Sequence, residues 1–553
     1  MVIADMWKRF SKVAWFLPGF ILYAAFPPMC EAADVLFALA PLMWLSRRGN
    51  AREAAWRWFQ SGIFFWVATL SWMPAIVKNG GPWPLVVLGW GALAAYCAGY
   101  FALFGWLSAK YWRQVSSWRG RIVGILVVEP VLWCGLELVR SRFLGGFAWN
   151  HLGVVPANCG FGAPAALGGV YLLSAVVVLI NGSIAGIAER MAAGILARRR
   201  MPYDPSALSR WRSLETLVVF LAVFGIYKAA GLVESTRPHG ANMGSSLKVA
   251  LVQRNFPCVF KGHEADPYEI YERLLSNVSL LKPDLVVLAE SALAEFGPLD
   301  QQGAVRFASF VREKTGAALL AGGTRFEEGL TYNSAALYRA DGTMDVYDKV
   351  HLVPFGEFIP GDKLFPALQK LAPVGSCTPG ELKTLEWRAG PDGASLGAAI
   401  CFEDTDSAQV RKLSRTAGAL VFITNDSWFS NSAEALAHAW QATARAIETG
   451  LYVVRVGNNG VTGTIAPDGR ATWLMDAAGK PLVDAGGAML DLVELRPLAG
   501  EDGGSRGPLT PYAALGDWPL GVAFVLLLAA LACPLFLNLL QSLRSRAMTT
   551  GMS

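Results

Sequence analysis

Leu-Gly-Ala-Ala-Ile-Cys-Phe-Glu-Asp, residues 396–404, is the stretch on which the fold turns. Small and branched apolar residues run without alternation into a cysteine, and two acids follow at once. A strand with one wet face alternates polar and apolar residues, so an unbroken apolar run fits a strand covered on both faces. Cys401 then stands at the carboxyl end of a buried strand. Upstream, Asp284–Ala289 (DLVVLA) runs into Glu290, and the polar turn Tyr347-Asp348-Lys349-Val350-His351 carries Lys349. Side chains at strand ends converge on one rim of a sheet, where α/β proteins place their sites.

Working outward, strands are expected at Lys248–Gln253, Asp284–Ala289, Ala317–Gly322, Ser334–Tyr338, Leu396–Cys401, Leu420–Thr424, Tyr452–Val456 and Gly463–Ile465. Helical patterns fall at 266–281, 301–314, 405–416 and 433–448. This alternation predicts an α/β layered domain. Gly500–Gly507 reads as a linker.

A cysteine is nucleophilic only as thiolate, and its free pKa is about 8.5. Glu290 is placed to take its proton, and Lys349 to steady both the thiolate and the oxyanion formed on an attacked ester or amide carbonyl. That chemistry needs no metal and no organic cofactor. Each residue also has a plainer reading: Cys401 a small buried core residue, Glu290 a first-turn acid, Lys349 a solvated charge. Spacing alone does not separate the two. The eight cysteines form neither a C-x-x-C pair nor a zinc pattern, and only Cys258, Cys377 and Cys401 fall in this region.

The flanks differ. The chain of 553 residues is 53% hydrophobic and only 16% charged, against about a quarter charged in soluble domains. The deficit lies in the first ~235 residues and the last ~40, where spans are expected at 13–29, 33–46, 60–77, 84–108, 121–140, 165–188, 214–233 and 518–540. Lys and Arg cluster before the first, after the second and fourth, between the sixth and seventh, and after the last. With about eight spans every basic loop falls on one face, which puts both termini in the cytoplasm and residues from about 235 to 515 outside. The charge of +5 thus reads as topology and not as a nucleic-acid footprint. Three segments follow: a bundle at 1–234, a water-exposed domain at 235–515 and a closing helix with its tail at 516–553. Glu137 and Arg140, near the outer end of the fifth span, are spaced to pair (i, i+3). Trp149, in the outer loop Gly145–Asn150, reads as an interfacial anchor or as lining for a lipid entrance.

LAES (288–291), YDKVHLVPFGEFIP (347–360), AICFED (399–404) and NDSWF (425–429) together resemble the nitrilase, or carbon–nitrogen hydrolase, superfamily. Its Glu, Lys and Cys match Glu290, Lys349 and Cys401 in kind and order. With Arg455, Asn458, Asn459, Gly460 and Thr462, and with the flanking spans, the fuller resemblance is to the apolipoprotein N-acyltransferases. It implies an αββα sandwich beside a transmembrane bundle, in a bacterial inner membrane with the catalytic domain in the periplasm. It implies ping-pong acyl transfer from a glycerophospholipid, typically phosphatidylethanolamine, through a Cys401 thioester. The acceptor is the α-amino group of an S-diacylglyceryl-cysteine on a lipoprotein, and the enzyme acts as a monomer among membrane lipids. Glu357 and Glu403 match supporting acids, and Phe402, Asn425 and Trp428 substrate-side positions. Phe402 stands where many relatives carry Tyr. His351 and His438 read as structural. Phe355–Leu371 is a candidate lid dipping into the interface. The rival readings are a membrane-tethered amidase acting on a small amide and a non-catalytic scaffold.

Overall fold

A computed structural model describes residues 14–199, 211–235, 246–257, 266–359, 361, 376–387, 394–429, 432–496 and 509–533. Two units divide the chain: Met1–Ser71, Leu88–Ser235 and Leu515–Ser553 form one, and Trp72–Val87 with Thr236–Ala514 the other. The segment Trp72–Val87 is where this division departs from the expected spans 60–77 and 84–108, which it overlaps at both ends.

Among the described residues, the first unit and its adjoining segment hold five helices long and apolar enough to cross a membrane: Ala51–Asn79, Trp83–Trp112, Trp118–Arg140, Ala165–Arg198 and Leu214–Ser235. The first two expected spans are not among them. Their α-helices are Leu17–Ala24 and Ala40–Arg48, 8 and 9 residues long. At about 1.5 Å per residue these reach roughly 12 and 14 Å, well short of a hydrocarbon core of about 30 Å. Turns around Pro27 and Pro28 and the 3₁₀ segment Ala32–Leu36 interrupt the apolar run. The closing helix is Trp518–Ala532, and the rest of its expected span lies outside the described residues.

Charges buried in this unit are partnered, as a low-dielectric setting demands. Glu129 accepts from Arg47 at 3.0 Å, Trp112 Nε1 at 2.8 Å and Ser108 at 3.1 Å. Arg121 bridges Glu189 and Glu215 at 3.0 and 2.7 Å. Glu137 and Arg140 each have other hydrogen-bond partners: Glu137 takes Trp133 Nε1 and the Leu152 N–H, while Arg140 donates to the carbonyls of Phe147 and Trp149. Trp149 is 2% exposed, so it is a core aromatic of this unit and not an exposed anchor.

The second unit is a sandwich of two six-stranded sheets. Its strands are β1 (Ser246–Gln253), β2 (Leu285–Leu288), β3 (Ala318–Glu327), β4 (Leu330–Tyr338), β5 (Met344–Asp348), β6 (Leu385–Glu386), β7 (Ser395–Ile400), β8 (Ala419–Asn425), β9 (Val453–Asn458), β10 (Gly463–Ile465), β11 (Ala471–Trp473) and β12 (Gly487–Glu494). One sheet runs β12-β1-β2-β3-β4-β5 and the other β11-β10-β9-β8-β7-β6. Each has a parallel centre, β1-β2-β3 and β7-β8-β9, with antiparallel edges. Alternate residues of the two sheets share one core: Val249, Leu251, Val287 and Leu320 pack with Leu396, Ile400, Val421 and Val456. The opposite faces take helices, Pro267–Ser279 and Gln302–Thr315 on the first sheet, Ser407–Ser414 and Glu434–Thr449 on the second. The layers are therefore αββα, and central strands covered on both faces are why their sequences do not alternate.

Candidate active site

The parallel strands β2 and β7 end at the same rim. Glu290 lies two residues beyond β2, Cys401 directly after β7, and Lys349 directly after the antiparallel β5. Tyr347 and Asp348, expected in a turn, are the last residues of β5, and the turn begins at Lys349. Gly322 in β3 lets the Glu290 backbone come close, because a Cβ there would sit 2.6 Å from the Glu290 Cα. Cys401 adopts φ +54°, an uncommon value for a residue with a side chain. It opens a 3₁₀ turn, Cys401–Thr405, so the chain leaves the strand sharply at the thiol.

Four side chains form one buried cluster, and two of them, Glu290 and Lys349, act electrostatically on Cys401. Lys349 Nζ lies 2.9 Å from Glu357 Oε1 and 3.7 Å from Glu290 Oε1. Asn333, on β4, donates through one Nδ2 to Glu290 at 2.7 Å and to Glu357 at 2.6 Å. The second Glu290 oxygen accepts the Asn425 N–H at 2.8 Å, and the second Glu357 oxygen the Val353 N–H at 2.8 Å. Glu290 is 6% and Lys349 1% exposed, so these charges act on one another with little screening.

Burial pushes the Glu290 carboxyl above the usual carboxylate range; Lys349 opposes this and the charge of Glu357 adds to it. Glu357 is held below that range despite its burial, chiefly by Lys349 and by the Val353 and Asn333 hydrogen bonds. Lys349 is raised: its burial is outweighed by the charges of Glu357 and Glu290. Burial, and after it the charge of Glu290, pushes the Cys401 thiol up, while Lys349 and a hydrogen bond with Thr424 pull it down. The resting set is a neutral thiol, a fixed ammonium, a fixed carboxylate at Glu357 and a carboxyl at Glu290 with enhanced basicity.

Glu403 does not bridge to Lys349. It accepts from Tyr347 Oη, the N–H groups of Val350, His351 and Ile400, and Gln409 Nε2. These donors come from both the Lys349 turn and the Cys401 elbow. Phe402 meets the His351 ring edge-on at 5.8 Å. Asn425 contributes its N–H to Glu290, while its side-chain oxygen accepts from Asn458 and Ser427. Trp428 is 44% exposed, so it is not a core aromatic. In the candidate lid, residues 360 and 362–371 lie outside the described residues, and Phe355 is 65% exposed. Cys377 and Cys401 are free thiols, and Cys258 lies outside the described residues.

Sequence reasoning missed Asn333, which fell one residue outside its expected strand. It also missed a second buried cluster. His438 lies between Asp404 (3.0 Å) and Asp426 (3.1 Å), with Glu434 at 3.4 Å. Arg455 reaches Asp404 at 2.7 Å and Asp426 at 3.3 Å. The ligand atoms of Asp426, Glu434 and His438 lie within 4.8 Å of one another, close enough to hold a cation. The Arg455 guanidinium and an imidazolium at His438, whose pKa is raised to about 10, already neutralise Asp404 and Asp426.

Comparison with known proteins follows this geometry. The chain matches the family model of the carbon-nitrogen hydrolases over residues 248–487, and that of the apolipoprotein N-acyltransferase N-terminal domain over residues 18–183. It is a carbon–nitrogen hydrolase domain joined to apolar helices in a membrane protein of bacterial type. An apolipoprotein N-acyltransferase of Geobacter metallireducens is 32% identical over 470 residues, 81% of this chain and 84% of that one. Another, from Pseudomonas paraeruginosa, is 29% identical over 94% of this chain and 96% of its own. The chain belongs to the apolipoprotein N-acyltransferase family. Among solved structures, a CN-hydrolase superfamily protein from Xanthomonas campestris is 19% identical and covers 45% of this chain and 91% of its own, with a TM-score of 0.34.

Proposed function

We propose that the protein transfers an acyl chain from a glycerophospholipid, through a thioester on Cys401, to the α-amino group of an S-diacylglyceryl-cysteine at a lipoprotein N-terminus. The observation that carries this is the buried group of Glu290, Lys349, Glu357 and Asn333 beside a half-buried Cys401 that is a thiol at rest. A neutral thiol needs a base, and Glu290 is the carboxyl whose proton affinity is raised.

In the first half, Glu290 takes the Cys401 proton as sulfur bonds to the ester carbonyl carbon. Lys349 steadies the oxyanion. The tetrahedral intermediate breaks its C–O bond, and the lysophospholipid oxygen leaves with the proton from Glu290. In the second half, the acceptor amine attacks the thioester carbonyl and gives a proton to Glu290. The C–S bond breaks, sulfur recovers that proton, and an amide is released. Glu357 keeps Lys349 in place and charged throughout.

The membrane setting follows from the substrates. A buried acyl chain gains about 0.8 kcal/mol per CH₂, so drawing either substrate into water is prohibitive. The reading places the catalytic domain outside the inner membrane, in the periplasm, with both termini cytoplasmic, phosphatidylethanolamine as donor and a monomer as the working unit. It is supported by the basic loops.

The test is mass spectrometry of the purified protein after incubation with phosphatidylethanolamine. The expected result is one acyl mass on Cys401, discharged when a diacylglyceryl-cysteine peptide is added and recovered on the peptide amine. Free fatty acid with no acylated peptide would show hydrolysis instead and overturn the proposal.

A further inference from the structure

Trp72–Val87 takes in the end of one long apolar helix, Ala51–Asn79, and the start of the next, Trp83–Trp112, yet it belongs to the catalytic unit. Two contacts tie it there. Asn79 Nδ2 donates to the carbonyl of Ser427 at 3.2 Å and to that of Trp428 at 2.8 Å. Trp72 meets Phe429 edge-on, with ring centroids 4.6 Å apart. The 3₁₀ helix Met73–Asn79 is closed by Gly80 at φ +97°, which turns the chain away directly after Asn79. One side-chain amide therefore holds two consecutive carbonyls of the turn Asp426–Phe429.

The two ends of that region have different duties. At one end, the Asn425 N–H holds Glu290, and its side chain is independently fixed by Asn458. At the other, Trp428 presents an indole that is 44% exposed, and Val77 on the docked segment is 37% exposed. Asn79 grips the Trp428 end.

We propose that Asn79 is a positioning residue for acyl transfer: through the Ser427 and Trp428 carbonyls it sets the Trp428 ring as a wall for the donor's acyl chain. The proposal rests on the acyl-transfer reading above. It makes the end of the apolar helical stretch Ala51–Asn79 part of the acyl-binding site, although the family's carbon-nitrogen hydrolase match begins only at residue 248.

The test uses the full chain in phospholipid-containing micelles, with phosphatidylethanolamine as donor and a diacylglyceryl-cysteine peptide as acceptor. Asn79→Asp keeps the shape but sets a carboxylate against two carbonyls, whereas Asn79→Gln keeps the amide. Asn79→Asp is expected to raise the donor KM about tenfold with kcat within about twofold, as loss of uniform binding predicts, and Asn79→Gln to recover most of it. Combined with Trp428→Ala, the Asn79→Asp loss does not add, because both act through one wall. Hydrogen exchange at 427–429 accelerates in Asn79→Asp while that of 285–288 does not. An unchanged KM, a kcat loss at constant KM, or additive losses would each overturn the role of Asn79. A wild-type protein that forms no Cys401 adduct would sink the reaction itself. Normal wild-type turnover with an unshifted KM in Asn79→Asp would sink only the positioning role.

Discussion

Two clusters of buried charge sit at the carboxyl-end rim of the sandwich and differ in how their charges balance. In the first, Lys349 is spent on Glu357 at 2.9 Å, and Glu290 at 3.7 Å is the carboxyl left over. In the second, His438 and Arg455 offset Asp404 and Asp426, while burial and the charge of Asp426 raise Glu434 well above the carboxylate range and keep it protonated. The second cluster is closed and neutral. The first keeps one carboxyl of raised proton affinity, Glu290, which suits the shuttle proposed for it. On that proposal, the uncompensated member and not buried charge as such marks the reactive centre.

The sharpest way to break this contrast is to remove the reacting groups. Cys401→Ala is expected to form no acyl adduct. Glu290→Gln should slow adduct formation on the order of 10²–10⁴-fold, read by mass spectrometry over time, with little change in thermal midpoint. If Glu290→Gln instead lost stability and kept its rate, the two clusters would have to exchange roles.

Arg455→Met tests the other side. Breaking a buried pair costs about 3–5 kcal/mol, so the thermal midpoint should drop while the pH dependence of adduct formation in the remaining folded protein stays put. A moved pH profile would show that the second cluster tunes the first.

Glu357→Gln probes the coupling inside the first cluster. On the proposed mechanism adduct formation requires ionised Glu290, so the rate is expected to rise with pH through its raised pKa. The charge of Glu357 contributes to that elevation, so removing it should shift the acid limb to lower pH. Single-turnover rates across pH 4–8 check this on the order of tenths to one unit. A shift to higher pH would mean that loosening Lys349 outweighs the lost repulsion.

The last test concerns His438. Its pKa is raised from 6.5 to about 10 in the folded chain. A raised histidine stabilises fully below its unfolded pKa and loses that contribution as pH climbs through the folded one. The thermal midpoint should therefore decline between about pH 6.5 and 10, and His438→Gln should flatten the decline. An unaltered slope would move the titration elsewhere.

Residues that end apolar strands were legible in the sequence. Glu290 and Cys401 follow β2 and β7, and an unbroken apolar run announces such a strand by itself, whereas Lys349 was marked by its polar turn and not by a strand. What escaped was whatever depends on pairing across the fold. Asn333 meets Glu290 from 43 positions away. The partners in Arg455–Asp404 are 51 apart. β5 and β12 are half-buried strands with Asp345, Asp348, Asp491 and Glu494, so their apolar signal is diluted. The first two expected spans failed for a related reason: hydropathy counts apolar residues, while length depends on where the helix is interrupted. Trp149, expected at an interface, is buried, because an indole suits either a core or a rim and only packing chooses.

Glu403 has one more consequence. A single carboxylate rivets the backbone beside the ammonium to the backbone before the sulfur, so the two groups are tied into one body. On the proposed mechanism their spacing is then the same whichever acyl chain arrives. Selectivity among chains has to be written elsewhere, in walls that are free to differ, and a screen for altered chain preference would do best to leave this rivet alone.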